Sequence, residues 1–363
     1  MPTHAAEFNP YNTTAARKHM IGEIPRPKTV TVDLHNHMRI PEAAEFIQPH
    51  MAENSNTSFK FSSDKTKEIY KKQFDVRPAG WSNAEARIKD MDKMHLDVMA
   101  VSCMPAQMYY KVDPIVGQEA AQVVNDGIYT RISPHPKRFV GIGTVPMQNT
   151  DMALKEIDRC VNELGFRGIQ IAARVDEDEL SAERFEPIWS KCEELSIVVF
   201  VHPRSFASPR FERHYMTNVI GNPLDTTTAI HNLIFDGVLA RYPKIKFYMS
   251  HGGAFASHYA ARMDHAYGAR ADCREHIYEL PSTYLKRLYF DTIVFAVDQL
   301  EFLVRKYGAD HIALGTDYPA DMAEYDPVEH VCQSEEITEA DREKICGLNA
   351  LRLMGLDAAD FQR

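Results

Sequence analysis

The chain has 363 residues, of which 44% are hydrophobic and 25% charged, an ordinary composition for a globular protein with a large core. Lysine and arginine total 41 against 51 aspartate and glutamate residues, and the net charge of -10 argues against a general nucleic-acid binder. The sequence has no apolar run of about eighteen residues or more, so no transmembrane helix and no membrane partner are expected.

The N-terminal stretch 1–28 is predicted to be a weakly ordered extension that wraps a neighbour or lies on the surface. It is polar, it contains Pro10, Pro25 and Pro27, and it lacks the apolar core of a secretion signal. The six cysteines are scattered without a Cys-x-x-Cys pair, which is typical of reduced thiols. These observations predict a cytoplasmic protein.

Short apolar segments rich in Val, Ile and Phe predict strands that are buried on both faces. In chain order they are 29–35, Val98–Cys103, Phe139–Val145, Gly168–Ala172, Ile197–His202, Ile245–Ser250, Leu288–Thr292 and His311–Gly315. Amphipathic helices alternate with them from Asn83 onwards. This order predicts that residues 29–363 form a (β/α)8 TIM barrel of the α/β class. A doubly wound open sheet is the alternative, but no Gly-x-Gly-x-x-Gly turn follows the first strand.

A long polar segment, about 38–82, follows the first strand. It shows no alternation of strands and helices, so it is predicted to be a small insertion into the barrel. Loops of this length in compact domains are usually functional or structured on their own. We therefore expect the insertion to cover the site that begins at the end of the first strand.

Histidines and one aspartate follow the predicted strands at their C-terminal ends, where such barrels place their chemistry. His35 and His37 end the first strand on one shared face, His202 ends the fifth, and His251 and Asp317 follow the sixth and eighth. Alone, His202 also fits a helix or loop cap, His251 fits a turn residue, and Asp317 fits a helix N-cap. Together on one rim, imidazole and carboxylate groups predict a site for Zn²⁺ or another borderline divalent cation.

Several motifs resemble the amidohydrolase superfamily (amidohydrolase family 2), in the branch of the aminocarboxymuconate-semialdehyde decarboxylases. They are DLHNH at 33–37, ARIKDMD at 86–92, RFVG at 138–141, ELGFRG at 163–168, VHP at 201–203, SHGG at 250–253 and LGTDYP at 314–319. The resemblance implies one divalent metal, usually zinc with manganese possible, and no organic cofactor. It implies His35, His37, His202 and Asp317 as ligands, and His251 as the base that hydrogen-bonds the metal-bound water.

The fourth predicted strand favours one metal over two. Two-metal members of the superfamily bridge their ions with a carboxylated lysine or a glutamate on this strand. Gly168–Ala172 offers neither, and Arg174 cannot bridge cations.

The resemblance implies a metal-dependent, non-oxidative decarboxylase of a conjugated or aromatic carboxylic acid, in which protonation of the carbon bearing the carboxylate lets CO₂ depart. The same centre could instead attack a carbonyl, which gives the alternative of a hydrolase of a ring-cleavage product, at a C–C bond, or of a lactone. A third hypothesis is a catalytically silent metal-binding or assembly subunit, which the presence of His251 disfavours.

Three arginines are candidate partners for a small carboxylated substrate. Arg262 matches a family arginine that reaches the neighbouring subunit, so the resemblance implies a homodimer with a shared catalytic arginine. Arg77 is displaced from the position of a second family arginine, and Arg204 stands where the decarboxylase has an aromatic residue. Arg262 also fits a surface role and Arg204 a solvent-facing loop role, and the shifted pattern of arginines predicts a related but different substrate. Further candidates, for which core or loop roles fit equally, are Asn36, Arg39, Met104, Tyr109 and Asp291.

Overall fold

The computed structural model describes residues 26–51, 60–76, 78–204 and 206–361. The barrel strands are β1 (Val32–Met38), β2 (Val98–Cys103), β3 (Phe139–Gly141 and Gly143–Thr144), β4 (Gly168–Ala172), β5 (Val198–His202), β6 (Lys246–Met249), β7 (Tyr289–Asp291) and β8 (Ile312–Ala313). A short antiparallel hairpin, Arg174–Val175 with Asp178–Glu179, lies outside the barrel sheet.

Helices follow the strands and form the outer layer. They are α1 (Pro41–Ile47), α2 (Asp64–Val76), α3 (Ala84–Lys93), α4 (Pro114–Ile132), α5 (Thr150–Asn162), α6 (Glu186–Glu194), α7 (Asn222–Phe235), α8 (Val238–Arg241), α9 (Ala254–His258), α10 (Ala260–Ala269), α11 (Pro281–Leu285), α12 (Val297–Tyr307), α13 (Pro327–Cys332), α14 (Glu339–Glu343) and α15 (Asn349–Met354). Two π-helical segments, Thr217–Gly221 and Lys344–Leu348, lead into α7 and α15. Within the described ranges, no helix is both long and apolar enough to cross a bilayer.

All barrel strands pair in parallel, in the order β1-β2-β3 and then β4-β5-β6-β7-β8. The two halves of β3 join these groups, because the first pairs with β2 and the second with β4. At the other seam, Leu34 N donates to Leu314 O at 2.9 Å, and Thr316 N donates to His35 O at 3.0 Å. These links continue the ring from β8 back to β1, as the predicted (β/α)8 fold requires.

Two layers of apolar side chains hold this architecture. Val198 and Phe200 of β5 belong to the cluster inside the barrel, whereas Val199 and Val201 belong to the cluster shared with the helices. This alternation follows from the two-residue period of a strand. It explains why the strands are apolar on consecutive positions, which was the signal that predicted them.

The first strand begins later than predicted. It runs Val32–Met38 rather than 29–35, because the backbone N–H groups of Lys28 and Thr29 bind the carboxylate of Glu343 instead of a strand. The proposed insertion at 38–82 contains α1, α2 and a 3₁₀ turn at Ala79–Trp81. The prediction for 1–28 falls largely outside the described residues, which begin at 26.

Candidate metal centre

The four residues predicted as metal ligands lie together at the C-terminal end of the barrel. The candidate ligand atoms of His35, His37, His202 and Asp317 all lie within 4.8 Å of one another, and all four residues are buried. Oδ1 of Asp317 is 3.2 Å from Nε2 of His37 and 3.6 Å from Nε2 of His35. Residues that are far apart in the sequence thus form one compact donor set.

A bulge in β1 aims both histidines at this point. The register with β2 shifts between Asp33 and Asn36, so one extra residue enters β1. Before the bulge, Val32 and Leu34 point into the barrel cluster. After it, the inward positions are His35 and His37, whose ring centroids lie 5.1 Å apart. His35 and His37 therefore share one face, as predicted. The bulge changes which residues face inward, from even-numbered positions before it to odd-numbered positions after it.

The hydrogen bonds of the three imidazoles fix their tautomers. Each Nδ1 faces an oxygen: His35 to Asp291 Oδ2 at 2.6 Å, His37 to Cys103 O at 3.0 Å and His202 to Pro203 O at 2.8 Å. Because these oxygens accept, Nδ1 carries the proton and Nε2 presents its lone pair. All three Nε2 atoms are buried without a hydrogen-bond partner among the described residues. Orphaned lone pairs beside a carboxylate fit a divalent cation.

Burial also keeps these groups in metal-binding protonation states. It lowers the pKa of His37, and together with the neighbouring imidazoles it lowers the pKa of His202 well below its ordinary value. Burial alone would raise the pKa of Asp317, but the imidazoles of His251, His37 and His35 around its carboxylate outweigh burial and hold that pKa well below its usual range. Neutral imidazoles and an ionised carboxylate are the forms that bind metal.

His251 lies beside the donor set on a tight turn after β6. Its Nε2 is 3.8 Å from Asp317 Oδ2, and its Nδ1 has no hydrogen-bond partner in the part of the chain that the structure describes. Burial opposes its protonation, but Asp317 and Asp291 outweigh this and raise the pKa of His251. The turn needs Gly252 at φ 61°, where a Cβ would also lie 2.4 Å from Val294 Cγ1.

A cavity of about 120 Å³ opens onto His37, His202 and Asp317, and we call it the inner cavity. Its wall includes Tyr70 and Trp81 from the insertion. The inner cavity therefore joins the ligand set to the segment after β1.

Of the three predicted arginines, only Arg204 lines the inner cavity among the described residues. Its Nη1 donates to Met108 O at 2.7 Å, and its backbone N–H donates to Asp225 Oδ2 at 3.0 Å. Arg262 is exposed on α10, with its guanidinium 6.0 Å from the ring centroid of Tyr259. Arg77 lies outside the described residues.

Several residues of the site were not predicted from the sequence. Tyr70, Tyr215 and Asp321 line the inner cavity, and Arg87 lies buried behind β1. The insertion shows no regular pattern, so no sequence signal marked Tyr70. Two signals could have marked Arg87: it lies in the ARIKDMD motif, and it stands on the same face of α3 as the buried Ala84 and Met91, where an arginine is rare.

Comparison with known proteins identifies the family. The amidohydrolase family model matches residues 32–356, which is most of the chain and contains every residue of the donor set. The chain is a member of the amidohydrolase family. The 2-amino-3-carboxymuconate-6-semialdehyde decarboxylase of Dictyostelium discoideum is 34% identical to this amidohydrolase over 275 residues, which cover 75% of this chain and 77% of the relative.

Solved structures of similar proteins support the barrel fold. The 5-carboxyvanillate decarboxylase of Sphingomonas paucimobilis superposes with a TM-score of 0.78 at 20% identity, covering 91% of this chain and all of the other. A dihydroxybenzoic acid decarboxylase of Polaromonas, solved with manganese and 2-nitroresorcinol, superposes with a TM-score of 0.74 at 22% identity, covering 92% of this chain and all of the other. At these identities the likeness concerns the fold.

Proposed function

We propose that this amidohydrolase is a metal-dependent, non-oxidative decarboxylase of an aromatic or conjugated carboxylic acid. The observation that carries the proposal is the set of three orphaned Nε2 atoms and one ionised carboxylate, with His251 beside them and Arg204 on the cavity wall. The decarboxylase names of the Dictyostelium relative and of the two structural neighbours give it further support.

In this proposal a single divalent cation is held by the four clustered residues, His35, His37, His202 and Asp317. We propose zinc as the metal in the cell, because three imidazoles and one carboxylate suit it, and manganese as the alternative, because the Polaromonas structure contains it. When bound, the ion supplies positive charge that stabilises negative charge developing on substrate oxygens. Arg204 adds charge-assisted hydrogen bonds to an anionic oxygen of the substrate.

His251 is the proposed proton donor, acting through Nε2. A proton delivered to the ring carbon that carries the carboxylate interrupts the conjugation. The bond to the carboxylate then breaks, its electron pair returns to the ring, and CO₂ leaves. The delivered proton remains on the carbon, so one proton is consumed for each CO₂ released. The position of His251, anchored by its backbone N–H to Asp291 at 2.7 Å, suits this transfer.

The test uses the metal-loaded protein with acids of the relatives' substrate types: 5-carboxyvanillate, a dihydroxybenzoic acid and 2-amino-3-carboxymuconate-6-semialdehyde. We expect CO₂ release and, in D₂O, one deuterium on the carbon that carried the carboxylate. His251→Asn should lose at least about a hundredfold in kcat while it keeps its metal. Oxygen from labelled water in the organic product, without CO₂, would instead identify a hydrolase.

The number of metal ions is a separate measurement. We expect about one ion per chain by elemental analysis, loss of activity on chelation, and lower occupancy in His35→Ala and Asp317→Ala. A stoichiometry of about two ions per chain would contradict the inference drawn from the fourth strand.

We further propose a homodimer in which Arg262 of one subunit enters the site of the other. Support comes from its exposed position on α10, next to Tyr259, whose side chain is 63% exposed. Arg262→Ala mixed with His251→Ala should regain activity in verified mixed dimers, because each mixed dimer contains one intact site. Mixed dimers that stay as inactive as the two parents would contradict this role.

A cytoplasmic location is also proposed, because all six cysteines are free thiols and four of them are buried. Fractionation of the source cells with a specific antibody tests this location.

A further inference from the structure

A second cavity, of about 440 Å³, lies beside the inner cavity, and we call it the outer cavity. Met104, Ala106 and Arg204 line both, so the two cavities adjoin at these residues. The remaining wall of the outer cavity is largely apolar and comes from the insertion, including Ile47 of α1 and Phe74 of α2. A ligand that starts at the metal centre can therefore extend past Arg204 into the outer cavity.

The outer cavity is positively charged. Arg39 and Arg204 both line it, and no aspartate or glutamate stands among its described lining residues. Gln107 also lines this cavity, but its side-chain amide already hydrogen-bonds the backbone of Ile40. It accepts from Ile40 N at 2.8 Å and donates to Ile40 O at 2.7 Å. Tyr109 accepts a hydrogen bond from Gln107 at 3.3 Å, which leaves the phenol proton of Tyr109 to be donated.

Arg39 is an arginine of the outer cavity that has no counterion among the described residues. Its backbone N–H donates to Trp81 O at 2.7 Å, which fixes the base of the side chain two residues beyond His37. The guanidinium lies 6.0 Å from the ring centroid of Phe74. Across the described ranges, no carboxylate lies within ion-pair distance of it. By contrast, Arg131 and Arg138 are paired with Glu42 and Asp92, at 2.8 and 2.7 Å.

We propose that the outer cavity binds a second carboxylate of the substrate through Arg39. The substrate is then a dicarboxylic acid, with one carboxylate at the metal centre, its apolar skeleton along Phe74 and Ile47, and the other carboxylate held by Arg39 and the phenol of Tyr109. The planar guanidinium offers the paired donors that a carboxylate accepts. This inference rests on the proposed function for the first carboxylate and adds the residue that selects diacids over monoacids.

The test compares ligands that differ by one carboxylate: isophthalate with benzoate, and muconate with sorbate. Binding to the metal-loaded protein is measured by calorimetry for the unsubstituted chain, Arg39→Gln and Arg39→Lys. Arg305→Gln is the control, because Arg305 is an exposed arginine that pairs with Glu336 and lines neither cavity. Equal metal content in all variants excludes damage to the donor set.

We expect the unsubstituted protein to bind each diacid about tenfold or more tightly than its monoacid. Arg39→Gln should weaken diacid binding about tenfold to a hundredfold and change monoacid binding less than about threefold, with Arg39→Lys between the two. In turnover, KM for a diacid should rise while kcat changes little. Equal losses for both members of a pair, no loss in Arg39→Gln, or no diacid preference in the unsubstituted protein would overturn the proposal. Since binding is measured without turnover, these outcomes are independent of whether CO₂ is released.

Discussion

Asp291 accepts a hydrogen bond from His35 Nδ1 at 2.6 Å, and the same Oδ2 accepts the backbone N–H of His251 at 2.7 Å. Its other oxygen accepts the N–H groups of Gly252 and Ile293, at 2.6 and 3.0 Å. One buried carboxylate at the end of β7 therefore sets the tautomer of a proposed ligand and the position of the proposed proton donor. Such supporting hydrogen bonds tune metal affinity although they lie one step away from the metal.

We predict that Asp291→Asn weakens metal binding about tenfold to a hundredfold. An amide cannot accept on both sides, so it turns its NH₂ towards either the imidazole or the N–H groups of the turn and disrupts one of them. The measurement is a competition titration with a chelator of known affinity. Asp360→Asn, a change at an exposed residue near the C-terminus, is the control and should bind metal like the unsubstituted protein. Unchanged affinity in Asp291→Asn would mean that His35 keeps its tautomer without this carboxylate.

Trp81 gives a direct optical signal for ligand binding. It lines the inner cavity, whereas Trp189, the other of the two tryptophans in the chain, is fully buried and donates to Leu180 O at 3.1 Å. We predict that isophthalate changes the tryptophan emission of the metal-loaded protein. Trp81→Phe should abolish the change and Trp189→Phe should keep it. A signal that disappears instead with Trp189 would place the ligand away from the inner cavity.

Arg87 is a buried cation that supports β1 from behind. Its guanidinium donates to Asn36 Oδ1 at 3.1 Å, to Gly80 O at 3.3 Å and to His37 O, and it lies 4.8 Å from the ring centroid of Tyr318. It thus contacts His37 directly, and it contacts Tyr318, which follows Asp317 in the chain.

We predict that Arg87→Met lowers the free energy of unfolding by about 3–5 kcal/mol, because it leaves buried oxygens without donors. Arg305→Met, which removes an exposed ion pair with Glu336, should cost less than about 1 kcal/mol. Denaturant titration of both variants measures the two values. A small effect at Arg87 would show that water or another donor replaces the guanidinium.

The barrel itself was predictable because its strands are buried on both faces. The predicted bounds of Val98–Cys103 and Gly168–Ala172 match the observed strands. Every residue of these two strands is buried, so the apolar run and the strand have the same ends. β1 was misplaced for a physical reason: four of its seven residues, Asp33, His35, Asn36 and His37, are polar, and it contains a bulge that no periodicity reveals.

The clustering of the four proposed ligands was predictable, because a barrel brings the C-terminal ends of its strands to one rim. The substrate end was not, because it depends on how the insertion folds back. Trp81 and Arg39 are joined by a backbone hydrogen bond that no local pattern predicts. Nor does the sequence reveal that Phe74 reaches the guanidinium of Arg39, 35 positions earlier in the chain.

Gly347 and Gly268 differ in the space that an added side chain would find. A Cβ at Gly347, in the π-helical segment before α15, would lie 1.8 Å from Val30 O, just ahead of β1, whereas a Cβ at Gly268 on α10 meets nothing within 4 Å. We predict that Gly347→Ala lowers the free energy of unfolding by about 3 kcal/mol, because backbone must move on both sides. Gly268→Ala should raise it by up to about 1 kcal/mol through helix propensity. Denaturant midpoints of the metal-loaded variants measure both, and a Gly347→Ala protein as stable as the unsubstituted chain would mean that the segment before α15 does not press on β1.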